Sequence, residues 1–153
     1  MKTKNAFAFI ELLVDLAFVA IILGLIIPYY KHMEKNISMR ISRREIRMLK
    51  LAVTSYYENQ NPKTYPAATE NLCADYLLQA KPQIIKTILD DPFSRIKQEY
   101  RYTLSPNTKF YCIWSISANR RSDIQGVDDE GSVIKDKKCD DIYATLTIDP
   151  SLE

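Results

Sequence analysis

Glycine is scarce in this chain, with three residues, Gly24, Gly126 and Gly131, among 153. They cannot form a GxGxxG turn or a GxxxxGK phosphate loop, which excludes nucleotide binding by those routes. Histidine is scarcer still, because His32 stands alone. A His base, a His/Asp pair or a His-rich metal site would all depend on that one residue. The three cysteines, Cys73, Cys112 and Cys139, contain no CxxC pair, so their spacing predicts neither a zinc site nor a dithiol redox centre. Charge of one sign is also missing: 21 basic against 19 acidic residues leave a net +2. That balance gives no basic field of the kind nucleic-acid binders carry, and no nucleic-acid partner is expected. What is present is 46% hydrophobic and 26% charged residues, too apolar for a disordered chain and enough for about one domain.

The apolar residues are concentrated in residues 7–30, where Glu11 and Asp15 are the charged exceptions. About 24 helical residues at 1.5 Å each cross ~30 Å of hydrocarbon. The basic start, Lys2 and Lys4, also opens secretory signals. Here, however, the run ends Ile26-Ile27-Pro28-Tyr29-Tyr30-Lys31, without a small-x-small exit, and is expected to stay as an anchor. An acid near the centre of a membrane helix costs roughly 2.5–3.5 kcal/mol. Glu11 and Asp15, four residues apart, share one helix face. Two readings stand: both remain hydrated near the interface, or they await a cation on another subunit.

Beyond the run, Ile46, Leu49, Val53, Tyr56 and Tyr57 keep a helical period, with no stop before Asn59-Gln60-Asn61-Pro62. The two stretches read as one helix of about 50 residues. Short helices are expected over 70–80 and 83–89, cut by Pro82, and strands over 98–104, 109–117 and 141–148. Ser105-Pro106-Asn107-Thr108 reads as a hairpin turn. The fold class is therefore α+β: a long N-terminal helix packed on a small three-stranded antiparallel sheet. The loop 119–141 holds Asp123, Asp128, Asp129, Glu130, Asp136, Asp140 and Asp141. Calcium takes six to eight oxygens. Arg120, Arg121, Lys135, Lys137 and Lys138 could equally neutralise these acids as a solvated loop. No nucleophile with a base emerges, so no enzymatic activity is expected.

The junction Ala6-Phe7-Ala8-Phe9-Ile10-Glu11-Leu12-Leu13-Val14 resembles the leader junction of type IV pilins and type II secretion pseudopilins. There a basic leader is cleaved before an aromatic residue, a Glu follows four positions on, and a Pro stands where Pro28 does here. Ala6 replaces the usual Gly, and Asp15 replaces an apolar residue. The head resembles the type II secretion branch through Asp91-Pro92-Phe93-Ser94 before Tyr100-Arg101-Tyr102, and partly through Ser115-Ile116-Ser117-Ala118-Asn119-Arg120 and Asp141-Ile142.

The resemblance implies a pilin-like fold and four segments. Residues 1–6 would be the leader, 7–30 the transmembrane and assembly half of the helix, and 31–61 its soluble half. Residues 62–153 would form a periplasmic head with an acidic loop at 118–141. It implies cleavage between Ala6 and Phe7 by a prepilin peptidase, N-methylation of Phe7, and pairing of Glu11 with the new amine of a neighbour. It implies calcium in the loop, for which Asn119, Asp123, Asp128, Asp140 and Asp141 are the candidate ligands. The implied location is the inner membrane, single-pass, with the head in the periplasm. The charges beyond the run (Lys31, Lys35, Arg40, Arg43, Arg44) would by the positive-inside rule favour the opposite orientation. In the implied oxidising compartment Cys112 and Cys139 are expected to form a disulfide across the base of the loop, the alternative being three buried thiols. Expected partners are further copies in a helical filament, minor pseudopilins and the inner-membrane secretion platform. The function implied is a structural subunit of a secretion pseudopilus; the alternative is a type IV pilin for adhesion, motility or DNA uptake.

Overall fold

A computed structural model describes residues 3–146, with side chains from residue 9 onward. The side chains of Ala6 and Phe7, and the end of the expected strand 141–148, lie outside the described residues. The chain divides into two compact units, residues 1–37 and 38–153.

The first unit is helical, the beginning of α1 (Thr3–Asn59). Its Leu, Ile and Ala content favours a helix, and Pro28 is accommodated within it. Its large apolar side chains from Phe9 to Tyr30 are 47–72% exposed, so nothing among the described residues covers them. Among the described residues this one helix is long and apolar enough to cross a membrane.

The second unit begins with the remainder of α1. That stretch turns Ile46, Leu49, Ala52 and Val53 inward, all buried, and leaves Arg43, Arg44, Arg47 and Met48 exposed. Each fully buried aliphatic side chain contributes about 1.5–3 kcal/mol. The helix stops at Asn59, where the Gln60 N–H turns back to the Tyr57 carbonyl at 3.3 Å. Pro62 then biases Asn61 away from helical geometry.

Three antiparallel strands follow as expected: β1 (Arg101–Leu104), β2 (Tyr111–Ser115) and β5 (Ile142–Thr145), in the order β1-β2-β5. The turn 105–108 joins β1 to β2, with the Thr108 N–H donating to the Ser105 carbonyl at 2.9 Å. Side chains alternate across the sheet. Tyr102, Tyr111, Ile113, Ile142 and Ala144 pack with the helix residues, joined by Tyr100 just before β1. Cys112, Trp114 and Tyr143 enter a second cluster with Ile124 and Val127. That second cluster is roofed by a hairpin absent from the sequence reading: β3 (Ile124–Val127) and β4 (Val133–Lys135), inside what was expected to be a loop. Gly131 sits in its turn at φ +87°, and a Cβ there would lie 2.9 Å from the Phe110 ring.

The short helices expected at 70–80 and 83–89 are corrected. The first is reduced to one π-helical turn, Cys73–Leu77, and residues 83–89 form no helix. Segments this short are poor helices unless tertiary contacts hold them. Here Glu99 holds the π turn from outside, its carboxylate accepting from the Cys73 N–H at 2.5 Å and the Ala74 N–H at 3.2 Å. Ile84, Ile85 and Leu89 pack against the first cluster from an irregular backbone.

The Asp91-Pro92-Phe93 turn is a clasp. The buried Asp91 carboxylate accepts from the Phe93 N–H (3.0 Å), the Ser115 hydroxyl (2.8 Å) and the Ile116 N–H (2.9 Å). It thereby ties the connector to the end of β2.

Candidate functional site

Two places in the chain carry chemistry. In the first unit Glu11 and Asp15 are both exposed and four residues apart on α1. They stand among uncovered apolar side chains, where a carboxylate needs water or a cation.

The other lies in the second unit, where three chain segments meet. Asp123 immediately precedes β3, Cys139 follows β4, and Asp141 immediately precedes β5. One donor atom from each lies within 4.8 Å of the others. Asp141 organises the group, with Oδ2 accepting from the Asp123 N–H (2.8 Å) and the Ile124 N–H (3.2 Å). Its other oxygen, Oδ1, is buried and without a hydrogen-bond partner among the described residues. Burial pushes the Asp141 carboxyl up to about 6; its two N–H donors oppose the shift, and the charges of Asp123 and Asp140 add to it. The Cys139 thiol is likewise raised, first by burial. An orphaned, buried acid oxygen of this kind is costly unless a cation or proton meets it.

The surrounding residues orient the group. Asn119 Nδ2 donates to Asp123 Oδ2 at 3.0 Å and to Asp140 Oδ1, while Asn119 Oδ1 accepts from the Arg121 N–H at 2.7 Å. Four of the five candidate calcium ligands, Asn119, Asp123, Asp140 and Asp141, are thus linked by hydrogen bonds or by chain adjacency. The fifth, Asp128, does its work at the β3–β4 turn, where Oδ1 accepts from the Glu130 N–H (3.0 Å) and the Ser132 N–H (2.8 Å). The Asp129 carboxylate accepts from the Asn107 N–H at 2.8 Å, and Asp136 accepts from the Gln125 side chain at 3.3 Å.

The set does not fit calcium well. Asn119 turns N–H groups toward the acids, Asp141 Oδ2 is taken by backbone donors, and the third converging atom is a sulfur; calcium calls for six or more oxygens. Cys139 was not in the expected set. The adjacency Cys139-Asp140-Asp141 is the signal that could have placed it there.

Cys73 and Cys139 are free thiols; Cys73 and Cys112 are buried and Cys139 partly so. Cys112 and Cys139, the pair expected to bond, both belong to the second apolar cluster. Burial pushes the Cys73 thiol up to about 12, which leaves it protonated and inert.

Compared with models of protein families, with curated proteins and with solved structures, the chain matches none.

Proposed function

We propose that the chain is a pseudopilin-like structural subunit. Its leader would be removed, its apolar helix would leave the lipid of the inner membrane to pack beside copies of itself, and its head would stand in the periplasm as part of a secretion filament. The observation that carries this reading is the coupling of the Phe7/Glu11 spacing to a membrane-length stretch of α1 whose apolar side chains are left exposed among the described residues. A lipid-soluble helix bearing an acid on its face is suited to pairing with a cation on a neighbour. An antiparallel sheet against residues 46–53 of the same helix also accords with the arrangement that the leader resemblance implies. The work is assembly, with a prepilin peptidase, minor pseudopilins and an inner-membrane platform as the partners proposed.

Processing tests the reading directly. Intact-mass or N-terminal analysis of protein from its native membrane is expected to find Phe7 as the first residue, carrying an N-methyl group. A mature chain still beginning at Met1 would overturn it.

A further inference from the structure

We propose that Asp123, Cys139 and Asp141 form a binding site for a single thiophilic divalent cation of the zinc type. The site does not depend on the assembly reading. Three observations carry it: the converging donors, the buried Asp141 Oδ1 that has no hydrogen-bond partner among the described residues, and the sulfur among the donors.

Zinc is held at about 2.0–2.2 Å by carboxylate oxygen and about 2.3 Å by thiolate, usually in a tetrahedron. Tetrahedral donors at those lengths stand between 3 and 4 Å apart by geometry, so atoms already within 4.8 Å need only small side-chain rotations to close on an ion. A thiolate selects a borderline-soft cation over calcium or magnesium, which prefer oxygen alone. The Asp141 carboxylate is held in place by two backbone N–H groups on Oδ2, which leaves Oδ1 for a ligand. Asp123 is oriented by the Asn119 amide. Outer contacts of this kind fix ligands in place around a metal. Asp140, exposed and beside Asp141, or a water molecule would complete the fourth position. On binding, Cys139 gives its proton to solvent, and the ion joins the entry to β3, the exit from β4 and the entry to β5. Cys139 cannot hold a metal and bond to Cys112 at once, so the two states exclude each other.

The test uses the full chain in detergent, reduced, stripped with chelator, and then given Zn2+, Co2+ or Ca2+ alone. Zinc is expected to bind one equivalent and raise Tm by about 5 °C or more, with calcium in large excess leaving it unchanged. Cobalt is expected to develop a thiolate-to-metal charge-transfer band. Cys139→Ser should lose that band and weaken zinc binding by at least about tenfold, while Cys73→Ser retains both. The cobalt spectrum of the unsubstituted chain reports the thiolate even where a variant fails to fold. A calcium response equal in the unsubstituted chain and Cys139→Ser, a cobalt spectrum without the thiolate band, or a Cys112–Cys139 disulfide in protein from the native membrane would each overturn the proposal.

Discussion

Glu11→Leu is expected to leave membrane insertion and the fold of the head intact while abolishing incorporation into filaments and the secretion that depends on them. Once the leader is gone, the Phe7 amine of one subunit and the Glu11 carboxylate of the next would be opposite charges in a packed, poorly hydrated bundle. At ~4 Å such a pair attracts by about 1 kcal/mol in water and about 4 kcal/mol at an effective dielectric near 20. Either charge left alone in that environment is expensive, so removing Glu11 penalises the assembled state beyond the lost attraction. A difference of ~3 kcal/mol per contact lowers each association constant by more than a hundredfold. Asp15, one turn further along α1, can share the amine but stands one turn from the expected pair, and Asp15→Ala should be mild. Cysteine crosslinking between subunits and a secretion assay read both variants. Glu11→Leu protein that crosslinks and secretes at wild-type levels would refute the counter-charge mechanism.

The second large effect concerns the head. Asp91→Ala is expected to destabilise the second unit by roughly 3–5 kcal/mol, because it strips the acceptor from three donors at once. The Phe93 and Ile116 N–H groups and the Ser115 hydroxyl all end on this one buried carboxylate. Each buried donor left unsatisfied costs about 1–3 kcal/mol, with less than full additivity. Asp91→Asn keeps one acceptor oxygen and should fall between. Chemical denaturation of the full chain in detergent, followed by fluorescence of the one tryptophan, Trp114, would show it. A midpoint unchanged in Asp91→Ala would mean that the clasp is dispensable.

The elements easiest to read from the sequence were those with a long period or a strong alternation. Ile46, Leu49 and Val53 declared the inward face of α1, and the strand patterns over 98–104 and 109–117 declared β1 and β2; Tyr100, Tyr102, Tyr111 and Ile113 from them join the helix residues in the first cluster. The β3–β4 hairpin was illegible for a physical reason. Its strands are only four and three residues long, and the Asp128-Asp129-Glu130-Gly131 turn between them floods the window with charge. Ile124, Val127 and Val133, which pack beneath it, are apolar islands in a stretch whose acids suggested an open loop. The same density of acids hid the division of labour among them. Side-chain type cannot tell Asp128, which closes a turn, from Asp141, whose carboxylate is buried beside Asp123 and Cys139, because that difference arises from the path of the chain. Cys139 was likewise read as a partner for Cys112, and its nearness to Asp123 became visible only in three dimensions.

Strand β2 is buried along its whole length and lies between β1 and β5. Tyr111 and Ile113 serve the helix side, while Cys112 and Trp114 serve the hairpin side. Neither layer can therefore separate from the sheet without exposing residues of this one strand. In amide hydrogen exchange the β2 backbone should be the last part of the head to take up deuterium, and only by global opening. The β3–β4 hairpin, with Gln125, Ile134 and Lys135 exposed, can exchange through local opening. The residues that seat α1, Tyr111 and Ile113, therefore belong to the strand that opens last, whereas the acidic turn belongs to the hairpin that can open first.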